Sequence, residues 1–314
     1  MVKNMTDEEV AAGVAAAGAR AWPVAEGYVD ADGVPIYFKC IGAGRPLLIL
    51  HGGPGANHDY LLQPLLPLAK WRQLVFIDQR GCGRSGSPWG SSEYTIQRQT
   101  RDIEQVRTSL GLGRIDVLGH SFGGLVAQAY ALAYPQSVAS LLLVATASSI
   151  DRVERDLDRI LRAAPPELQS EIAALETQGI YGVDGAQLPR YRQCADEILA
   201  PCMYAVHAPT WDSQPTSFGW EAMRQVWGDQ SEFRCTGTAR ALDLDLGMQA
   251  WPGRALIVYG DHDIVSDATA SHTHLLIKRS RLVRIKDAGH ELYVDQPAAF
   301  IETIESFLRA PDRP

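Results

Sequence analysis

The chain has few cysteines for its length and no long apolar run. Its five cysteines, Cys40, Cys82, Cys194, Cys202 and Cys235, are an odd number at unrelated spacings, with no close pair. That pattern argues against a disulfide scaffold or a cysteine metal site and fits the reduced thiols of a cytoplasmic protein. No stretch of about 18 apolar residues is present to span a membrane. The first residues are too weakly apolar for a signal-peptide core, because Lys3 is followed by Asp7, Glu8 and Glu9 and then by an alanine- and glycine-rich stretch. Positive charge is also in deficit. The formal net charge of −8 argues against a nucleic-acid or anionic-membrane surface and favours small neutral or cationic ligands. Internal repeats and low-complexity tracts are lacking, and nothing in the sequence reports an oligomeric state.

What is there is the alternation of an α/β protein. Strand-like runs fall at Gly27-Asp30, Pro35-Cys40, Pro46-Leu50, Gln73-Ile77, Asp116-Leu118, Ser140-Val144, Ala255-Tyr259 and Arg281-Ile285, after a short N-terminal helix. Asp32-Gly33 marks a hairpin between the first two. Helical stretches at Tyr60-Ala69, Ile96-Leu110, Phe122-Tyr134, Ala268-Ile277 and Pro297-Leu308 separate the later ones. A hairpin followed by βα alternation predicts a mostly parallel eight-stranded sheet with helices on both faces. The rhythm breaks after Ala147, where about 100 residues rich in charge, tryptophan and helix formers precede the seventh strand. We read residues 1–147 and 251–314 as two parts of one core, and 148–250 as a helical cap inserted after the sixth strand. Within the cap, Asp151-Ala164 and Glu167-Leu175 are helical by periodicity, and prolines at 165, 166, 189, 201, 209 and 215 punctuate the rest.

The chemistry-bearing motif is Gly119-His120-Ser121-Phe122-Gly123, directly after the apolar run Ile115-Leu118 and before a small-residue helix. Glycines two positions either side of a serine let a strand turn sharply into a helix with the hydroxyl projecting clear of both. Such a serine needs a base, a carboxylate to orient the base, and donors for a developing oxyanion. The strand Ala255-Tyr259 ends in Gly260-Asp261-His262-Asp263, giving Asp263 as the acid with Asp261 second. The last strand leads to Gly289-His290, and His290 is the base. The strand Pro46-Leu50 leads into His51-Gly52-Gly53-Pro54-Gly55, where Pro54 lacks an N–H. The amides of Gly53 and Phe122 are therefore the expected oxyanion donors, with His51 supporting the loop. The rival reading, a phosphate-binding loop, is argued against by its missing lysine and downstream hydroxyl. His272 and His274 read as a solvated pair rather than metal ligands, no metal site is expected, and His58 and His207 have no motif around them.

Together with Asp78-Gln79-Arg80-Gly81-Cys82-Gly83-Arg84-Ser85, these motifs occur in the order found in the proline iminopeptidase branch of α/β-hydrolases, which the chain resembles from about residue 27 to 308. The resemblance implies the α/β-hydrolase fold and a cofactor-free serine hydrolase, an aminopeptidase or amino-acid amidase acting on a small-molecule or short peptide substrate. It also implies a cap carboxylate for the substrate's ammonium group. Trp227-Phe233 looks like the segment supplying it, which makes Glu232 the candidate, and Gly52, Trp220 and Trp227 are further substrate-binding candidates. Two positions depart from the family pattern. Ile264 stands where one branch carries a second glutamate, with Glu221 or Asp229 as possible substitutes, and Phe122 stands where proline-specific members carry tryptophan. The same serine machinery could instead serve an ester or a lactone such as an acyl-homoserine lactone, with Trp211, Phe218, Trp220 and Trp227 lining an acyl pocket. Ser121 argues against the capped epoxide hydrolases and dehalogenases, which use a carboxylate nucleophile. A non-catalytic ligand receptor is the reading from another class, and the full set of triad and oxyanion positions argues against it.

Overall fold

The computed structural model describes residues 22–179, 188–205 and 217–311. The N-terminal helix expected from the sequence, His207 and Trp211 lie outside the described residues. Strands β1 (Val24–Ala31) and β2 (Val34–Ile41) form the predicted hairpin, and its turn residues Asp32 and Gly33 take φ of 53° and 86°. Positive φ at both positions matches the twist of the strands that the turn joins. The remaining strands are β3 (Arg45–Leu50), β4 (Arg72–Ile77), β5 (Ile115–His120), β6 (Val138–Val144), β7 (Arg254–Gly260) and β8 (Arg279–Ile285). They form one sheet in the order β1-β2-β4-β3-β5-β6-β7-β8, antiparallel as far as the β2–β4 pair and parallel from there on. All eight predicted strands are present, most of them a residue or two longer than their apolar runs.

Strand alternation sends side chains to two apolar layers. Leu48, Leu50, Val117, Leu141, Leu143 and Ile257 pack on one side with Ile103 and Val106 of α2 (Ile96–Ser109) and Val126 and Tyr130 of α3 (Phe122–Ala133). Leu47, Ile49, Leu118, Leu142, Leu256 and Val258 pack on the other, with Leu61 and Leu65 of α1 (Asp59–Leu65) and Phe300 and Ile304 near the C-terminus. The predicted helix over Tyr60-Ala69 is in fact α1 followed by a 3₁₀ turn, Leu66–Lys70. Pro67 has no N–H to extend the α-helical ladder. The edge strand β8 exposes Arg279, Arg281 and Arg284, charges that blunt edge-to-edge pairing.

Between β6 and β7 the chain leaves the sheet and forms α4 (Ile150–Ala163), α5 (Pro166–Gln178), α6 (Leu188–Met203), α7 (Trp220–Val226) and α8 (Asp245–Ala250). Helix α6 was masked in the sequence by its prolines. Pro189 sits in its first turn and Pro201 in its last, so neither interrupts the middle. After β7 come α9 (Asp267–Leu276) and, past β8, α10 (Leu292–Asp295) and α11 (Pro297–Arg309). The carboxyl ends of β3, β5, β7 and β8 open at one edge of the parallel sheet, which is where α/β sheets carry their ligand crevices.

Candidate active site

At the end of β5 the backbone turns directly into α3 through Ser121, at φ 53° and ψ −125°. This left-handed conformation is costly for a non-glycine residue and persists only where the surroundings enforce it. Here the enforcement is close packing. An added Cβ at Gly119 would run into the Gly123 carbonyl, and one at Gly123 into the carbonyls of Leu50 and His51. The small residues let α3 start against the end of β3, with the Ser121 side chain facing outward.

His290, from the loop after β8, approaches Ser121 with Nε2 3.0 Å from Oγ, while its Nδ1 lies 2.7 Å from Asp263 Oδ1. A carboxylate accepts only, so Nδ1 carries the ring proton and Nε2 is left to receive the Ser121 hydroxyl. Asp263 is buried, and its oxygens also accept from the amides of Val265 (3.0 Å) and Gly260 (3.3 Å). Asp261, the alternative acid, instead accepts the Ala288 amide at 3.1 Å and ties the two loops together from the exposed side. The relay can take a proton from Ser121 and return it to a leaving group.

Gly53 and Phe122 both line the chamber above Ser121. Neither amide donates a hydrogen bond among the described residues, so both are free for a developing oxyanion. Gly52 has a different place. Its amide donates to Tyr60 Oη at 2.7 Å, and it backs the Ser121 side chain without lining the chamber. His51 is fully buried and supports this loop as expected, with Nδ1 donating to the Gly52 carbonyl (2.9 Å) and Nε2 accepting the Gln79 amide (3.0 Å). Burial holds its pKa below the usual imidazole value.

His120 does more than fill a variable position in the motif. Tyr60 Oη donates to its Nδ1 at 2.8 Å, and its Nε2 donates to the His290 carbonyl at 3.2 Å, linking the glycine loop to the histidine loop. Burial, then the nearby His290, pushes its pKa down to about 3, so it stays neutral. Glu291 next to His290 is pushed by burial up to about 7. His58, which had no recognisable motif, is a buried partner of Asp78 at 2.7 Å. Its partner is visible in the Asp78-Ser85 motif, but the pairing spans 20 residues and has no local signal.

The chamber has a cavity volume of about 130 Å³. Its cap-side wall is largely apolar, with Val153, Leu157, Leu199, Met223 and Trp227, and Ile264 and Val265 continue it on the core side. Glu232 opens into it, and its carboxylate has no hydrogen-bond partner among the described residues. The Glu232 amide is fixed by Tyr191 Oη at 2.7 Å, and burial raises its carboxyl pKa. A second carboxylate, Asp156 of α4, also lines the chamber. Sequence reading missed it, although its position on the same helical face as Val153, Leu157 and Ile160 was a signal. Glu221 and Asp229, the proposed substitutes for the missing glutamate at Ile264, do not line the chamber. Trp220 lies outside this chamber but lines a smaller cavity with Met223 and Glu232. It is partly exposed, with its ring centroid 4.3 Å from that of Phe218 and the Arg192 guanidinium 4.1 Å over it. Phe218 packs on Gly55, leaving Trp227 as the tryptophan that reaches the chamber among the described residues. His272 and His274 are not simply solvated. They bond Asp245 at 2.6 Å and Ser280 at 2.7 Å.

A strained serine between β5 and α3, a histidine and an aspartate on the late loops, and a cap over the sheet's carboxyl edge define an α/β-hydrolase. The chain belongs to the alpha/beta hydrolase fold family, whose profile matches residues 45–297. Proline iminopeptidases are among the chain's most similar relatives. It is 30% identical over 297 residues to the proline iminopeptidase of Saccharolobus solfataricus, covering 91% of this chain and 92% of the relative. The crystal structure of proline iminopeptidase from Mycobacterium smegmatis superposes with a TM-score of 0.75 at 22% identity, covering 90% of this chain and 97% of that one. Est816, described as an N-acyl homoserine lactone degrading enzyme, shares the fold at a TM-score of 0.61 and 23% identity, covering 89% and 99%. Among the described residues no helix is long and apolar enough to cross a membrane.

Proposed function

We propose that the chain is a serine hydrolase that releases an unblocked aminoacyl group from small amides or short peptides, an aminopeptidase or amino-acid amidase of proline iminopeptidase type. Ser121 Oγ attacks the carbonyl carbon as His290 Nε2 takes its proton. Asp263 stabilises the imidazolium, and the Gly53 and Phe122 amides hold the oxyanion. Collapse breaks the C–N bond, and His290 returns the proton to the leaving amine, leaving an ester on Ser121. Water then attacks that ester with its proton passing to His290, the acid is released, and Ser121 recovers its hydrogen. No cofactor enters any of these steps. The five unpaired thiols support a reducing compartment, and we assign the cytoplasm.

One observation carries the free-amine reading: Glu232, a carboxylate without a hydrogen-bond partner among the described residues, lines the same chamber as Ser121. In this partly desolvated site an ionised Glu232 attracts a substrate ammonium group more strongly than it would in water. An ester or lactone substrate is the second reading, favoured by the apolar wall formed by Leu157, Leu199, Trp227 and Ile264.

Kinetics on matched substrates decide between them. Aminoacyl arylamides with a free amine are expected to be cleaved at least tenfold better in kcat/KM than their N-acetyl forms. Glu232→Gln should erase that preference mainly through KM, a loss of roughly 10- to 100-fold for one charge-assisted contact. Equal or better cleavage of the acetylated forms, or of a lactone series, would overturn the aminopeptidase assignment.

A further inference from the structure

The cap is bonded to the histidine loop, the glycine loop and the acid loop. At the C-terminal end of α6, the carbonyls of Cys202 and Met203 accept the amides of His290 (2.7 Å) and Glu291 (3.1 Å). Ahead of α7, the Gly219 amide donates to the Gly55 carbonyl at 2.7 Å, and Asn57 Nδ2 donates to the Ser217 carbonyl at 3.2 Å. Those contacts involve the cap backbone. The acid loop differs, because there the cap holds on by side chains of α4.

Asp156 Oδ2 accepts the Ser266 amide at 3.0 Å, and Arg159 Nη2 donates to the Ile264 carbonyl at 3.0 Å. Between those two points lies Val265, whose amide donates at 3.0 Å to Asp263 Oδ1, the same oxygen that faces His290 Nδ1. Asp156 is buried and Arg159 half-exposed, and the Arg159 Nε to Asp156 Oδ1 distance of 3.8 Å is too long for a hydrogen bond. The Asp156 carboxylate is therefore committed to the loop rather than to a tight ion pair. Asp263 must hold His290 in one tautomer and one orientation, and small errors in such geometry are expensive.

We propose that Asp156 and Arg159 are positioning residues: a two-point clasp by which the cap helix α4 sets the acid loop, and through Val265 the Asp263–His290 pair. The inference rests on the assignment of Asp263 as the acid given above. It makes the cap part of the catalytic framework as well as the wall of the substrate chamber, so its effect appears on substrates that have no ammonium group.

The test compares Asp156→Ala, Asp156→Asn, Arg159→Leu and Asp263→Asn in the full chain, with a neutral p-nitrophenyl ester and a free-amine aminoacyl arylamide. Alanine removes the acceptor for Ser266, whereas asparagine keeps a carbonyl oxygen there and removes only the charge. Asp156→Ala should lower kcat roughly 10-fold or more on both substrates with KM within about twofold. It should also weaken the downfield proton resonance of His290 Nδ1. Asp156→Asn should keep kcat within about threefold and keep the resonance. If Asp156→Ala does not fold, Arg159→Leu carries the test, with about a threefold loss in kcat and the same spectral change expected. Unchanged kcat and resonance in the folded variants would overturn the clasp. A KM rise in Asp156→Asn confined to the free-amine substrate would also do so, making Asp156 a substrate-binding carboxylate. Full activity in Asp263→Asn would remove the acid assignment itself. An inactive Asp263→Asn beside an unaffected Asp156→Ala would remove only the clasp.

Discussion

Asp78 shows how much of this site is held by groups that do no chemistry. Its carboxylate is fully buried and accepts the His58 ring and amide (2.7 and 3.0 Å) and the Arg84 amide (2.8 Å). Burial alone would raise its pKa, but the His58 charge and these hydrogen bonds outweigh it and bring it from 3.8 down to about 2. A folded pKa below the unfolded one means that the ionised group stabilises the fold above about pH 4, and that this contribution is lost as pH falls towards 2. The shift corresponds to roughly 2 kcal/mol. Asp78→Asn should therefore lower urea stability by about that amount at neutral pH, with the gap to the native chain closing between pH 4 and pH 2. A gap that does not change with pH would assign the cost to packing instead.

At the scale of elements, the junction of β3, β5 and α3 is the most constrained part of the fold. Gly123 lies against the Leu50 and His51 carbonyls, so Gly123→Ala must push α3 away from β3. Overpacking of this kind costs about 1–3 kcal/mol. It also displaces the Phe122 amide, so kcat/KM is expected to fall by about 100-fold, the scale of losing one oxyanion donor. Thermal melts and kinetics on the same preparation check both effects, and normal kcat/KM in a folded Gly123→Ala would remove Phe122 as a donor. This junction was legible in the sequence because spacing and chemistry coincide within five residues. Helix α6 was not, because prolines at its two ends resemble breaks until the positions of the turns are known.

Across the whole molecule, the eight strands and the mostly parallel sheet they form were readable because periodicity and turn residues are local signals, whereas the strand order is set by tertiary packing. The parallel topology then brought Ser121, Asp263 and His290 to one edge, from loops 142 and 27 residues apart in the chain. What the sequence did not disclose are contacts set by the cap. Trp220 faces Phe218 and Arg192 rather than the chamber, and Asp156 joins the chamber from a helix that reads as an ordinary amphipathic segment. Their positions depend on how α4, α6 and α7 pack over the sheet, which no local pattern encodes. The chemistry proposed for the assembled edge depends first on Ser121 being the nucleophile. Intact-protein and peptide mass spectrometry after treatment with a fluorophosphonate test that directly. A single adduct on the Ser121 peptide, absent in Ser121→Ala, is predicted; no adduct, or one on another residue, would contradict it.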